Sequence, residues 1–323
     1  MLNAKLPPET RAITISATGS RDRGLLRLEQ IVTCPSSVYR VDIPLTQPEC
    51  RGIFRYMSFL EKLLAASRST GSLLCVGLDP NPDLMPIMDV LEFNKRIIDA
   101  TSDLVCAYKP NLAFYEALGI DGLRALQATV AYIPRTIPVI GDAKRGDIGS
   151  TAQAYARALF ETFGFDAATV NPYLGTDSIE PFIEYKEKGV FVLCRTSNVG
   201  SADFQSLQVA DTALPLFEVV AQRAKEWNIY GNLGLVVGAT YPEEMRRIRQ
   251  RCPDMPLLIP GIGAQGGDLA KAVRYGIDAN GEKAIITASR QVIYASKGDD
   301  FAAAAREAAL RLRHEINRHK RTL

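Results

Sequence analysis

From Met57 onward, short apolar runs alternate with longer amphipathic stretches. The apolar runs predict eight strands, at residues 73–78, 104–108, 138–141, 168–171, 190–194, 233–237, 257–260 and 284–287. Nearly continuous apolar strands are typical of a parallel sheet that is buried on both faces. Eight strand–helix units over about 250 residues predict a (β/α)8 TIM barrel, with a doubly wound open sheet as the alternative.

The first 56 residues lack this pattern and contain much Pro, Thr, Ser and Arg. They are too acidic for a transit peptide and lack the apolar core of a secretory signal. We expect residues 1–56 to be disordered, or to be an extension produced by a start codon assigned too far upstream, with Met57 the true start. Residues 57–323 are expected to form a single barrel domain whose first helix has Ser58 as its N-cap.

Composition narrows the classes of function. The net charge of the 323 residues is only +2, and no apolar stretch reaches the length of a membrane span, so we expect neither nucleic acid nor a membrane as partner. The six cysteines are scattered, which argues against a zinc site or a disulfide framework and favours a reducing cytoplasm. The two histidines, His314 and His319, lie in a basic C-terminal run. Most histidine-based schemes are thereby excluded, and the chemistry must depend on other side chains.

Polar residues follow every predicted strand. Barrel enzymes place their active sites at the carboxyl ends of the strands, so these residues are expected to surround one mouth. In chain order they include Asp79; Lys109 and Asn111; Asp142, Lys144 and Asp147; Asn171 and Tyr173; Arg195, Thr196, Ser197 and Asn198; Thr240; Gln265; and Ser289 and Arg290.

The third strand end carries the densest charge. Asp142 and Lys144 are two residues apart, so on a strand they point to the same side. Asp147 follows after a turn, and we expect Lys144 to be held between the two carboxylates. Together with Lys109 they would form an alternating network that keeps every member charged. The alternative interpretation is a structural salt-bridge cluster at the barrel rim.

The loop after the seventh strand is rich in glycine. Gly261 and Gly263 allow close approach of the backbone, and Gln265 can add an amide donor. Loops after strands seven and eight of TIM barrels often bind phosphate, and Arg290 can supply a guanidinium there. The alternative is a plain glycine-rich turn beside a surface arginine.

These runs together resemble orotidine 5′-monophosphate decarboxylases, in the longer (type 2) subgroup found in some bacteria and in apicomplexan parasites. The resemblance covers residues 57–323. The shared core stands here as Asp142-Ala-Lys144-Arg-Gly-Asp147, and it also occurs in sugar-phosphate relatives. The runs that make the match specific are Gly-Leu-Asp79-Pro, Tyr-Lys109-Pro-Asn111-Leu-Ala-Phe-Tyr-Glu116 and Pro260-Gly-Ile-Gly-Ala-Gln265.

The resemblance implies a cofactor-independent, metal-free decarboxylation in a homodimer. Asp142 would lie beside the substrate carboxylate, and Lys144 would protonate C6 of the pyrimidine. The implied binding roles are as follows: Asp79, Lys109 and Asn111 at the ribose; Thr196 and Ser197 at the pyrimidine; Gly261, Gly263, Gln265 and Arg290 at the phosphate; and Asp147, Ile148 and Thr151 in the site of the other subunit.

Two other functions are considered. A Mg²⁺-dependent sugar-phosphate decarboxylase or aldolase shares the barrel and the core motif. However, the second strand end carries Lys109 where a metal site would use a carboxylate. A catalytically silent nucleotide-binding protein would have no need for Asp142 beside an anion.

Overall fold

A computed structural model describes residues 28–34, 37–43, 57–263 and 266–321. In the N-terminal part, Leu28–Cys34 and Ser37–Ile43 are strands that pair in antiparallel fashion. Residues 1–56 were expected to be disordered or to result from a wrongly assigned start codon. Apart from these two strands, that expectation concerns residues outside the described ranges. Met57–Leu323 forms a compact unit of its own.

Eight parallel strands form this unit's sheet. They are β1 (Leu74–Leu78), β2 (Ala107–Pro110), β3 (Ile140–Arg145), β4 (Ala167–Val170), β5 (Gly189–Arg195), β6 (Leu233–Val237), β7 (Leu257–Ile259) and β8 (Ala284–Ala288). Each strand pairs with its chain neighbours, and β8 pairs with β1. Parallel bridges from Tyr108 to Val139 and from Asn111 to Asp142 join β2 to β3. The prediction of a (β/α)8 barrel is therefore confirmed, and the open sheet is excluded.

Helices separate the strands. They are α1 (Phe59–Thr70), α2 (Val90–Thr101), α3 (Leu112–Glu116), α4 (Gly119–Tyr132), α5 (Gly149–Arg157), α6 (Glu180–Ile183), α7 (Ala202–Gln205), α8 (Leu216–Trp227), α9 (Pro242–Arg251), α10 (Leu269–Gly276), α11 (Arg290–Ile293) and α12 (Phe301–Arg321). A π-helical turn at Ala158–Thr162 extends α5, and 3-10 turns occur at Pro172–Leu174, Thr176–Ser178 and Val199–Ser201. Gln208–Val209 and Leu214–Pro215 form a short antiparallel pair.

Helix α1 begins as the sequence predicts and packs against the barrel strands. The Ser58 hydroxyl accepts the Glu61 N–H at 3.3 Å, and the Glu61 carboxylate accepts the Ser58 N–H at 2.8 Å. This reciprocal capping box satisfies two backbone donors that the helix cannot pair internally. The next residue, Phe59, is buried against Phe191 of β5 with ring centroids 5.6 Å apart. Only a glycine fits at position 189, because a Cβ there would lie 2.3 Å from the Phe59 ring.

The barrel interior is built from one apolar residue of each strand. These eight buried residues pack in one cluster with Phe59, Leu63 and Cys106: Cys75, Ala107, Ile140, Ala167, Phe191, Val236, Leu258 and Ile285. Most of their apolar neighbours in sequence belong to a second core that includes helix residues. Because side chains alternate along a strand, residues two or four positions further on face the interior again, nearer the carboxyl end. Asp79, Lys109, Asp142, Thr169 and Thr287 occupy such positions.

Two strands depart furthest from their predicted limits. The structure has β2 at Ala107–Pro110 and β3 at Ile140–Arg145, so both continue past the apolar runs that predicted them. An apolar run predicts only the amino-terminal part of such a strand, which is packed in the core. The carboxyl-terminal part continues the strand while its side chains line a polar mouth.

Candidate active site

Asp142 is the centre of a compact charge cluster. Its Oδ2 lies 2.8 Å from Lys109 Nζ, and its Oδ1 lies 2.6 Å from Lys144 Nζ. The hydroxyl of Thr169, on β4, donates to Asp142 Oδ1 at 3.0 Å. The Lys109 and Asp142 side chains are only 7% and 10% exposed, whereas the Lys144 side chain is 47% exposed. The arrangement therefore has a buried carboxylate and one ammonium group, that of Lys144, which solvent or a ligand can reach.

The cluster holds both buried groups in their charged forms. Burial by itself would raise the pKa of Asp142, but the neighbouring Lys109 and Lys144 ammonium groups outweigh it and hold that pKa well below the ordinary value. Burial would likewise lower the pKa of Lys109, but Asp142 and Asp79 raise it above the ordinary value. Lys109 and Asp142 thus both remain ionised at neutral pH.

Asp147 does not join the cluster. Its Oδ1 accepts the Ile148 N–H at 2.8 Å, and it forms no ion pair with any residue of the described ranges. The expectation that Lys144 lies between two carboxylates is therefore wrong for the single chain, because the turn after β3 directs Asp147 elsewhere. Asp147 is half-buried, Thr151 is exposed, and Ile148 keeps 52% of its surface exposed despite being apolar.

Lys144 has an unusual main chain. Its φ of 49° lies in the left-handed region, which costs a residue with a side chain about 1–2 kcal/mol. Thr169 holds this conformation, since its Oγ1 accepts the Lys144 N–H at 2.9 Å while donating to Asp142. Our sequence reasoning missed Thr169. Its polar side chain within the otherwise apolar run of β4 was the available signal.

A cavity of about 460 Å³ opens at the ends of β1, β2, β7 and β8. The residues that line it are Asp79, Asn81, Leu84, Lys109, Asn111, Phe114, Pro260, Gly261, Ile262, Thr287, Ser289, Arg290, Gln291 and Tyr294. Asp79 is fixed there by the Ser289 hydroxyl, which donates to it at 2.6 Å, and by the Asn111 N–H at 3.2 Å. The structure thus brings Asp79, Lys109, Asn111, Gly261 and Arg290 together as predicted.

The main chain of the loop after β7 has positive φ angles at its glycines, as their presence in the sequence suggests. Gly261 and Gly263 have φ values of 102° and 84°, which side-chain-bearing residues rarely adopt. The loop closes through a bridge between Ile262 and Gly267. Arg290, at the start of α11, is exposed on the cavity wall and forms no ion pair within the described ranges. Gln265 lies outside the described residues.

Thr196 and Ser197 follow β5 and do not line this cavity. Thr196 is held by Gln205, whose Oε1 accepts the Thr196 N–H at 2.8 Å. The main-chain oxygen of Ser197 accepts the Thr240 hydroxyl at 3.1 Å, which joins the loop to the end of β6.

Two further properties bear on the site. In the part of the chain that the structure describes, no three His, Cys, Asp or Glu residues are grouped as metal ligands. Within the same part, none of the helices has both the length and the apolar character needed to cross a membrane.

A parallel barrel with a Lys–Asp–Lys cluster beside a glycine-rich loop defines a TIM-barrel protein with a candidate site at the carboxyl ends of its strands. The chain belongs to the orotidine 5′-phosphate decarboxylase / HUMPS family, whose model matches residues 72–308. This confirms the family that the sequence motifs indicated.

Individual relatives agree with the family match. The chain is 56% identical over 268 residues to an orotidine 5′-phosphate decarboxylase of Dehalococcoides mccartyi, covering 82% of this chain and 99% of that protein. The solved structure of Leishmania donovani OMP decarboxylase is 43% identical with a TM-score of 0.74, covering 82% and 99% of the two chains. Leishmania donovani UMP synthase is 45% identical with a TM-score of 0.75, covering 82% of this chain and 57% of that one.

Proposed function

We propose that this protein converts orotidine 5′-monophosphate to uridine 5′-monophosphate and carbon dioxide without a cofactor, as the last step of de novo pyrimidine nucleotide synthesis in the cytoplasm. Family membership supports the reaction. The observation that carries it is the Lys109–Asp142–Lys144 cluster at the barrel mouth, because it pairs a carboxylate that is ionised at neutral pH with an accessible ammonium group.

The cluster lowers the barrier to decarboxylation by two electrostatic effects. Asp142 and the substrate carboxylate repel each other, and the repulsion disappears as neutral carbon dioxide forms. For two charges about 4 Å apart at an effective dielectric near 20, such a pair amounts to about 4 kcal/mol. When the C6–carboxylate bond breaks, its electron pair stays on C6. The Lys144 ammonium stabilises this charge and then transfers a proton to it, and its exposure lets solvent restore that proton.

Lys109 keeps Asp142 ionised and in place, and it contacts the ribose together with Asp79 and Asn111. The support is that all three line the same cavity, with Asp79 already hydrogen-bonded to the Asn111 main chain. Thr196 and Ser197 bind the pyrimidine at the end of β5.

The phosphate binds to Gly261, Gly263, Gln265 and Arg290. The two electrostatic terms fall well short of a barrier reduction near the upper ordinary range of about 23 kcal/mol. Binding energy from this remote group must therefore be used to organise the reacting end of the site.

The working unit is a homodimer in which Asp147, Ile148 and Thr151 reach the site of the partner subunit. In the single chain, Asp147 has no ion-pair partner among the described residues, and both Ile148 and Thr151 are exposed. A partner subunit that covered Ile148 would remove an apolar side chain from water.

The test is a decarboxylation assay with purified protein, orotidine 5′-monophosphate and EDTA, followed by the loss of pyrimidine absorbance. We expect activity in the wild type and a loss of at least about a hundredfold in kcat for Lys144→Ala. Activity only on a sugar phosphate with Mg²⁺ would instead indicate the aldolase or sugar-phosphate decarboxylase class. Binding of uridine 5′-monophosphate without turnover of either substrate would indicate a silent nucleotide-binding protein.

A further inference from the structure

Arg195, the last residue of β5, is a charged side chain buried to 2% exposure. Two of its guanidinium nitrogens are engaged: Nε donates to Glu244 of α9, and Nη1 donates to the Ser201 hydroxyl. The ring of Tyr241 lies beneath it, with 3.6 Å between the guanidinium carbon and the ring centroid. A buried charge with this many partners is rigid, so Arg195 provides a fixed point directly before Thr196.

Gln205, at the end of α7, connects this fixed point to the loop. Its Oε1 accepts from Arg195 Nη1 at 3.3 Å and from the Thr196 N–H at 2.8 Å. Its Nε2 donates to the Thr196 hydroxyl at 2.9 Å. One amide therefore fixes both the main chain and the side chain of Thr196. The Arg195 guanidinium and the Thr196 N–H, both of them donors, together orient the amide with its oxygen toward them.

These contacts determine where the Thr196 hydroxyl donates its hydrogen bond and where it accepts one. Its proton is directed at Asn198 Oδ1, 2.7 Å away, while the Gln205 amide occupies one acceptor position. A hydroxyl has one donor and two acceptor positions, so Thr196 can offer an incoming ligand only its remaining acceptor position.

The loop is also held from the side of β6. A Cβ at Gly238 would lie 2.7 Å from the main-chain N and Cα of Ser197, so only a glycine permits this contact. The Thr240 hydroxyl, donating to the Ser197 main-chain oxygen, fixes the same residue. The Thr196–Ser197 loop is therefore held by Gln205 on one side and by the end of β6 on the other.

We propose that Gln205, oriented by Arg195, is a positioning residue for pyrimidine recognition: it holds the Thr196–Ser197 loop in the conformation that binds the base. The inference rests on the proposed function, in which this loop contacts the pyrimidine. Gln205 does not line the cavity that holds the ribose and phosphate groups in that proposal. Its loss should therefore weaken recognition of the base and leave recognition of ribose phosphate intact.

The experiment measures the affinities of the full-length protein for uridine 5′-monophosphate and for ribose 5-phosphate by calorimetry. Gln205→Met keeps the length of the side chain but loses every hydrogen bond. We expect about a tenfold loss of affinity for uridine 5′-monophosphate, and unchanged affinity for ribose 5-phosphate. Gln205→Glu keeps an acceptor for Arg195 and for the Thr196 N–H but loses the donor to the Thr196 hydroxyl, so its affinity should lie between those of the wild type and Gln205→Met.

Gln222→Ala is the control, because Gln222 lies on the exposed face of α8 and its side chain donates a hydrogen bond to Glu226 of the same helix. A parallel loss for both ligands in Gln205→Met would overturn the proposal, since it would indicate a general structural role. Wild-type affinity for uridine 5′-monophosphate in Gln205→Met would overturn it as well. Failure of the wild type to bind uridine 5′-monophosphate or to decarboxylate its precursor would instead refute the proposed function.

Discussion

At the scale of single residues, Thr169 shows how one side chain can link two charged groups. Its hydroxyl accepts from the Lys144 main chain and donates to the Asp142 carboxylate. It is also 1% exposed, so water cannot replace it. The left-handed backbone of Lys144 and the orientation of Asp142 therefore depend on the same oxygen atom.

We accordingly expect Thr169→Val to lower kcat by about tenfold or more while KM changes little. The isosteric valine leaves the Lys144 N–H without its acceptor, and an unpaired buried group costs about 1–3 kcal/mol. Steady-state kinetics on orotidine 5′-monophosphate provide the measurement. Thr129→Val serves as the control, because Thr129 is equally buried but pairs with Asn94 on the outer helices. An equal loss of kcat in both variants would argue against a specific role.

The titration of Asp142 makes a second prediction at this scale. Because its folded-state pKa is depressed, its carboxylate stabilises the fold at every pH above the ordinary value of about 3.9. That contribution is lost only as the pH falls through the lower folded-state value. Asp142→Asn also leaves Lys109 buried without its partner, which should lower the free energy of unfolding by about 3–5 kcal/mol.

Urea denaturation between pH 8 and pH 3 provides the measurement. The difference in the free energy of unfolding between wild type and Asp142→Asn should stay constant down to about pH 5 and narrow below about pH 4. Asp121→Asn is the control, since the Asp121 side chain is 90% exposed and should show almost no difference. A difference that closed between pH 7 and pH 5 would mean that the pKa of Asp142 is raised.

At the scale of elements, the loop after β7 separates two effects of adding a side chain to glycine. Gly263 and Gly266 have similar φ values of 84° and 76°. A Cβ at Gly263 would lie 2.2 Å from Gln291 Oε1, whereas a Cβ at Gly266 would meet nothing within 4 Å. Replacing either glycine by alanine therefore has a similar cost in backbone strain, whereas only the replacement of Gly263 also causes a steric clash.

We expect Gly263→Ala and Gly266→Ala each to lose about 1–2 kcal/mol of stability from the left-handed backbone. Gly263→Ala should in addition lose affinity for uridine 5′-monophosphate, because Gln291 lines the cavity and must move. Thermal unfolding and calorimetric titration of both variants test this. Equal nucleotide affinities in the two variants would refute a role for the Gly263 contact.

At the scale of the whole molecule, the charge cluster and the proposed phosphate site at Arg290 and the glycine-rich loop lie at different strand ends of one mouth. If binding energy at the phosphate organises the reacting end, Arg290→Ala should lower kcat as well as raise KM. Steady-state kinetics separate the two parameters. A change confined to KM would show that the two ends are not coupled.

The proposed dimer also allows a test by complementation. Lys144→Ala removes a group from a subunit's own site, whereas Asp147→Ala removes one from the site of its partner. Mixing the two inactive variants after reversible dissociation should restore about a quarter of the wild-type activity per total site, because half of the dimers are mixed and each has one intact site. If Asp147 acts within its own subunit, no activity should return.

Much of this protein could be predicted from sequence by local rules. Apolar runs of strand length located all eight barrel strands, and Ser58 marked the start of α1. Asp79, Lys109 and Asp142 follow these runs. They could be predicted as site residues because a barrel brings the carboxyl ends of all its strands to one mouth. These features depend on periodicity and topology, which neighbouring residues encode.

Other features depended on tertiary structure. Contacts such as those of Thr169 with Lys144, Ser289 with Asp79 and Gln205 with Thr196 join different elements, and no local pattern encodes which hydroxyl or amide will reach which partner. The separation of Asp147 from Lys144 likewise follows from the path of one turn. The amino-acid sequence by itself thus determined the barrel and the kinds of charged group at its mouth. Only the three-dimensional packing decided how those groups are paired, oriented and kept ionised, because hydrogen bonding and burial are set by residues distant in the chain.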